Sequence, residues 1–260
     1  MEKSPGNASF DVSDIDPYSS ISSSDYVPDY LGINKLGPVT IICGQSNSGK
    51  SVILNNLFKH KLVHEYDPKD IYFFSKTVRG DLKYKPLFKY LAGRKTKINI
   101  YDKVDFAKIN EIVKGQETVG MNQMFAQKKE DEPELKNIVF VFDDMLSDKA
   151  FKHHTSDLSG FSCLCRHYGV SLIILTQKWS AVPDTIRIQS NISILCSTDN
   201  YKKSMIEENA KKGQEKWLEG LYQSINDRKD YSFLLIIKSN PVPKRNCVVN
   251  PGGLFEYVNP

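Results

Sequence analysis

No apolar run in this chain approaches the roughly 18 residues needed to cross a bilayer. The N-terminus shows no basic-then-apolar signal pattern, so the expectation is a protein without direct membrane insertion. Cysteine is scarce: five residues in 260, none in a CxxC pair. Cys163 and Cys165 are one residue apart, a poor zinc-ligand spacing. Cys43 and Cys196 sit in apolar, strand-like runs, where a free thiol behaves as a small hydrophobe. The pattern predicts reduced structural cysteines in a cytosol-like compartment. His153-His154 has no Cys, Asp or His nearby at ligand spacing, which argues against a metal site there.

What is present is an ordinary globular balance, 40% hydrophobic and 25% charged residues, enough for a sizeable core. The charge is uneven. Residues 1–30 hold six acids and one base, a net −5, which leaves +9 on the rest of a chain whose total is +4. That first stretch is rich in Ser, Asp, Pro and Tyr without periodicity and reads as a disordered or docking tail. Residues 31–260 read as one domain. Its basic charge permits contact with nucleic acid without establishing it.

Short runs predict strands at Val39–Cys43, Ile71–Phe74, Ile98–Tyr101, Ile138–Phe142, Val170–Leu175, Ile192–Cys196 and Phe233–Ile237, with Arg245–Val249 pairing on the last. Helical patterns follow residue 51, then cover 106–113, 156–168, 201–211 and 214–225. Residues 114–136, polar and containing Gly115, Gly120 and Pro133, read as a long mobile loop. Strands alternating with helices predict an α/β fold with a mostly parallel central sheet flanked by helices.

The stretch Gly44-Gln45-Ser46-Asn47-Ser48-Gly49-Lys50-Ser51 matches GxxxxGK[ST] in full. Glycine lets the backbone curl so that successive N–H groups face an anion. The following helix offers its positive N-terminus. Lys50 supplies a full charge for the β- and γ-phosphates, and the Ser51 hydroxyl suits Mg²⁺. The expected ligand is ATP, or less readily GTP, with magnesium. Downstream, Ile138–Phe142 ends in Asp143-Asp144. Two carboxylates at the end of a buried strand are costly unless they meet a cation. Asp143 is assigned to Mg²⁺ and Asp144 to orienting or deprotonating the attacking water. A strand ending in an acidic turn is also common in α/β proteins. Val170–Leu175 ends in Thr176-Gln177; at the carboxyl end of a parallel strand, Gln177 is placed to touch the γ-phosphate or the water.

Together these elements resemble the FtsK/HerA superfamily of P-loop ATPases, and within it the genome-packaging ATPases of poxvirus-type large DNA viruses and their virophage and Polinton-like relatives. The resemblance rests on Gly44–Ser51, Asp143-Asp144, Cys165-Arg166-His167-Tyr168-Gly169 leading into Val170–Gln177, and Val182-Pro183-Asp184-Thr185-Ile186-Arg187 followed by Asn191. It implies a RecA/ASCE-like P-loop NTPase fold and ATP hydrolysis coupled to DNA translocation. The implied assembly is a ring homo-oligomer, pentamer or hexamer, around double-stranded DNA. A capsid or portal-type vertex protein is the implied partner, and the host cytoplasm (the viral factory) or the virion the implied location. It also implies that Arg166 is an arginine finger reaching the neighbouring subunit's site, with Arg187 the competing candidate. Asp144 stands where the strand-catalytic P-loop class usually has Glu, and the chain departs from the family in carrying Lys178-Trp179 where bacterial relatives often have Arg-Pro.

Two other functions stay open at this level. A nucleotide switch lacks the Asn-Lys-x-Asp guanine-reading motif, since Thr176-Gln177-Lys178-Trp179 stands in the nearest place. A metabolite kinase usually carries an arginine-rich lid late in the chain, but residues 200–240 hold only Arg228. Lys128-Lys129, Lys202-Lys203 and Lys211-Lys212 offer charge for DNA phosphates, although solvated surface is the ordinary role of such pairs. Trp179 is expected to serve mainly in packing.

Overall fold

The structure is a computed structural model, and it describes residues 38–59, 69–125, 138–145, 157–165, 168–198, 203–210, 212–227, 231–238, 246–250 and 256–258. The strands are β1 (Val39–Cys43), β2 (Asp70–Phe74), β3 (Lys97–Tyr101), β4 (Ile138–Asp143), β5 (Val170–Thr176), β6 (Ile192–Cys196), β7 (Phe233–Ile237), β8 (Asn246–Asn250) and β9 (Glu256–Val258). The helices are α1 (Lys50–Lys59), α2 (Lys85–Gly93), α3 (Phe106–Phe125), α4 (Asp157–Leu164), α5 (Asp184–Gln189), α6 (Lys203–Asn209) and α7 (Glu215–Asn226). The acidic stretch 1–30, Lys128-Lys129, His153-His154, Arg166, Lys202, Lys211 and Arg228 lie outside the described residues.

One sheet organises the chain, in the order β3-β2-β4-β5-β1-β6-β7-β8-β9. From β3 to β6 every pairing is parallel; β7, β8 and β9 add on antiparallel. This is the mostly parallel, helix-flanked α/β sheet expected of a RecA/ASCE-like P-loop fold. The central strands are covered on both faces: every residue of β1, β4, β5, β6 and β7 is buried, the polar Thr40, Ser171, Thr176, Ser193 and Asp143 included.

Side chains of a strand alternate between faces, and the core divides accordingly. Val39, Ile41 and Cys43 of β1 join Phe140 and Phe142 of β4 under α3, α4, α6 and α7. Ile42, Val139 and Val141 face the other way, onto Ile53, Leu54, Leu57 and Phe58 of α1 and Leu87, Tyr90 and Leu91 of α2. Sheet parity therefore decides which helix each strand-end side chain meets.

The expected loop over 114–136 is corrected in its first part, because α3 continues to Phe125. Ile109, Val113 and Gln116 form its buried face, and the Gln116 amide donates to the Tyr168 carbonyl at 3.0 Å. A glutamine on the buried stripe and Gly115 hid the helical period. The pattern also left α2 and α5 unassigned. In α2, Pro86 near the first position and Leu87, Tyr90 and Leu91 at helical spacing were the available signal. No described helix is long and apolar enough to cross a membrane.

Candidate active site

The phosphate loop leaves β1 at the carboxyl edge of the parallel strands, and the backbone pins its entry. Gly44 N–H donates to the Thr176 carbonyl at 3.1 Å and Gln45 N–H to the Ser197 carbonyl at 3.1 Å, so the loop starts clamped between β5 and the end of β6. No side chain fits at Gly44: an added Cβ would lie 2.5 Å from Cys196 Cβ. Asn47 and Gly49 take φ of 61° and 88°. Asn tolerates the left-handed region, and Gly reaches it without penalty. Exposed Tyr231 stands beside Gly49, 3.6 Å from where a Cβ would be.

Lys50 folds back over its own loop and donates to the carbonyls of Gly44 at 2.7 Å and Gln45 at 2.6 Å. Burial pulls its ammonium pKa below the usual lysine range, with Asp143 among the groups opposing the fall. A half-buried cation beside an N–H-lined loop and a helix N-terminus attracts an anion, since phosphate oxygens would replace the two carbonyls at lower desolvation cost.

The two aspartates part company at the end of β4. Asp143 shares parity with Val139 and Val141, so it is directed toward α1 and α2. It is buried and accepts a hydrogen bond from the Tyr84 hydroxyl at 2.7 Å. The same hydroxyl lies 3.2 Å from Ser51 Oγ. Burial pushes the Asp143 carboxyl up, opposed first by that bond from Tyr84. Asp144 is exposed and left-handed, with φ 54°. Gln177, just past β5, donates its side-chain N–H to both Asp144 carboxylate oxygens at 3.3 Å. The structure thus brings Ser51, Asp143, Asp144 and Gln177 to one edge beside Lys50. Tyr84 was not foreseen: it lies 33 residues from Ser51 and 59 from Asp143, and no motif spans that gap.

The two arginines separate. Arg166 falls outside the described residues. Arg187 is tied down within its own chain: Nε donates to the Val182 carbonyl at 2.9 Å, and the guanidinium pairs with Glu208 of α6. Trp179 is buried, as packing predicts, and its indole N–H donates to Glu208 at 2.9 Å. Lys203, on the exposed side of α6, pairs with Glu207 at 3.5 Å. Cys43, Cys163, Cys165 and Cys196 are free. Burial raises Cys43 and Cys196 to about 12, so both thiols stay protonated and inert.

A family profile described as the poxvirus A32 protein matches residues 36–248, which takes in the phosphate loop, both aspartates and Gln177. The chain belongs to the poxvirus A32 protein family. The resemblance read from the sequence, to poxvirus-type packaging ATPases, is borne out. Among solved structures, the DNA-packaging ATPase B204 of Sulfolobus turreted icosahedral virus is similar at 16% identity and a TM-score of 0.50, over 78% of this chain and 94% of that one. B204 of Sulfolobus turreted icosahedral virus 2, in complex with ATP-gammaS, aligns at 15% identity and a TM-score of 0.47, over 77% and 92%. EssC (ATPases 2 and 3) from Geobacillus thermodenitrificans aligns at 14% and 0.46, over 85% of this chain and 39% of its own. At these identities the likeness concerns the fold alone. No curated protein matches the chain. What places this A32-family member functionally is the conjunction of its family and its own site geometry.

Proposed function

We propose that this chain is an ATP-hydrolysing motor that packages viral double-stranded DNA. The observation that carries the reading is the gathering of Lys50, Ser51, Asp143, Asp144 and Gln177 at the carboxyl edge of β1, β4 and β5 in a member of the poxvirus A32 family. ATP is the substrate. The Gly44–Ser51 backbone would cradle its phosphates, and Lys50 would leave the Gly44 and Gln45 carbonyls for the β- and γ-phosphate oxygens. Ser51 and Asp143 would hold Mg²⁺. The donor set fits, because a hydroxyl and a carboxylate converge on one oxygen, that of Tyr84, and hard oxygens are what this cation takes. Bound there, Mg²⁺ would neutralise charge on the phosphates.

Asp144 would orient or accept the proton of the attacking water. Its side chain, shorter than the Glu usual in the strand-catalytic P-loop class, places the carboxylate closer to its backbone, and the left-handed turn at φ 54° re-aims it toward Gln177. Gln177 bonds Asp144 when no γ-phosphate is near; a phosphate or water at that spot would compete for the same N–H and release the carboxylate. Binding would thereby change the contacts at the end of β5. The trans finger falls to Arg166, because the Glu208 pair and the Val182 carbonyl occupy Arg187 within its own subunit. A ring of identical subunits around DNA, docked on a capsid or portal-type vertex protein in the viral factory, completes the proposal.

The test is ATP turnover with and without long duplex DNA, for wild type and Arg166→Ala. The expected result is DNA stimulation in wild type, its loss in the variant, and partial recovery when Arg166→Ala is mixed with Lys50→Ala. In that mixture an intact phosphate loop meets an intact arginine across the interface. Turnover indifferent to DNA, with Arg166→Ala as active as wild type, rejects the motor.

A further inference from the structure

Tyr84 makes a contact that the reaction scheme above leaves unused. It closes the 3-10 turn Leu82–Tyr84 that leads into α2, and it is fully buried. Its ring meets Phe73 edge-on, centroids 5.1 Å apart, and lies against Phe88 at 6.2 Å. The backbone beneath it is anchored to α1, because the Asn55 amide donates to the Lys83 carbonyl at 3.1 Å. Asp81 caps the turn by accepting from Lys83 N–H at 3.2 Å. A tyrosine inserted this deeply is expected to find a partner for its hydroxyl. Here the partners are Asp143 at 2.7 Å and Ser51 at 3.2 Å, the two side chains assigned to the cation.

The phenol oxygen lies against both candidate ligands and nearer to the Asp143 carboxylate. It has one proton to give, and the nearer carboxylate receives it. That bond selects one rotamer of Asp143 and offsets part of the penalty of a buried carboxylate. Outer partners of this kind commonly change metal affinity 10- to 100-fold. A bystander in the core would not need its hydroxyl between these two side chains; phenylalanine would fill the same volume beside Phe73 and Phe88.

We propose that Tyr84 is a positioning residue of the cation site: its hydroxyl bonds the Asp143 carboxylate and lies against the Ser51 hydroxyl, fixing both side chains where a hard divalent cation with a nucleoside triphosphate would be held. The proposal rests on the nucleotide reading above. Because α2 and its leading turn carry Tyr84 while α1 carries Ser51, it also makes the α1–α2 packing part of the metal site.

The experiment uses the full chain and Mn²⁺, whose free form is counted directly by electron paramagnetic resonance. Mn²⁺ is titrated into protein with ATP, and ATP affinity is measured separately in EDTA. Tyr84→Phe is expected to weaken Mn²⁺ about tenfold while ATP affinity in EDTA stays within about twofold of wild type. In an Asp143→Asn background the same change is expected to have no further effect on Mn²⁺, since the carboxylate it positions is gone. Tyr84→Phe binding Mn²⁺ as tightly as wild type overturns the proposal, and so does a lowered melting temperature with unchanged Mn²⁺ affinity, the result of a purely structural role. Should Tyr84→Phe fail to fold, Asn55→Ala, which unpins the turn, is expected to weaken Mn²⁺ by about threefold or more at unchanged affinity in EDTA; no change there also overturns it. A wild-type protein that binds neither ATP nor Mn²⁺ with ATP rejects the nucleotide reading itself, a result distinct from failure at Tyr84.

Discussion

Asp143 and Asp144 are the same residue type one step apart, yet they occupy opposite chemical worlds. Asp143 ends β4 with the parity of Val139 and Val141, so it is buried against α1 and the Tyr84 hydroxyl, and burial raises its pKa. Asp144 has left the strand, with φ 54°, and faces solvent and Gln177. The difference teaches that a pair of carboxylates in a motif is not a pair of equivalent groups. Strand alternation buries one and leaves the other facing solvent before any ligand arrives.

The most direct way to break this comparison is to neutralise each carboxylate in turn. Asp143→Asn is expected to lower Mg²⁺-dependent ATP turnover by roughly 10³-fold or more, the scale of losing the charge that holds the metal. ATP binding in EDTA is expected to survive, as equilibrium binding of a fluorescent ATP analogue would read. Asp144→Asn comes next. Turnover is expected to fall about 10²- to 10⁴-fold, the worth of a general base, while Mg²⁺-ATP affinity stays near wild type. Equal loss of metal-dependent binding in both variants would erase the distinction.

Gln177→Ala sharpens the comparison from the Asp144 side. Turnover is expected to drop about tenfold, and the double variant with Asp144→Asn is expected to be no slower than Asp144→Asn alone, since the two side chains act through one contact. Full additivity in steady-state rates would show that Gln177 works elsewhere.

The smallest expected effect is on stability without ligand. Asp143 has a folded-state pKa raised above its unfolded value. Its ionisation therefore weakens the folded state; the loss begins as pH rises above the unfolded-state pKa and is complete once pH has passed the folded pKa. Asp143→Asn removes it. The variant is expected to melt higher than wild type at pH 7, each kcal/mol being worth roughly 2–4 °C in a domain of this size. The gap is expected to close on acidification toward the ordinary carboxylate pKa, because wild type then protonates Asp143 in both states. Calorimetry from pH 7 to 4 would measure it; a gap that widens on acidification would refute the burial argument.

Much of the fold was legible because the buried strands are predominantly apolar runs, and such runs announce parallel strands covered on both faces. All seven runs assigned as strands are strands, and β8 pairs on β7 as anticipated, in the antiparallel sense. Helices were harder. The stripe of α3 includes Gln116, whose polarity conceals the period although its amide is satisfied by the Tyr168 carbonyl. Within the candidate site, local motifs revealed Lys50 and Ser51, in the first turn of α1, and Asp143 and Asp144, where β4 gives way to a turn. Tyr84 carried no such mark, because its importance comes from a long-range meeting. Arg187 had read as a rival finger on sequence position alone, until the Glu208 pair showed its charge engaged.

The sequence by itself determined the α/β class, the phosphate loop with its lysine and serine, and the acidic strand end, because these depend on local pattern: apolar period, glycine freedom and the order of residues along a turn. Only the tertiary structure decided which aspartate is buried, that Gln177 bonds Asp144, that Arg187 serves α6, and that Tyr84 joins Ser51 to Asp143. Those are contacts between elements far apart in the chain, and they are set by strand order and face parity, which no single segment contains.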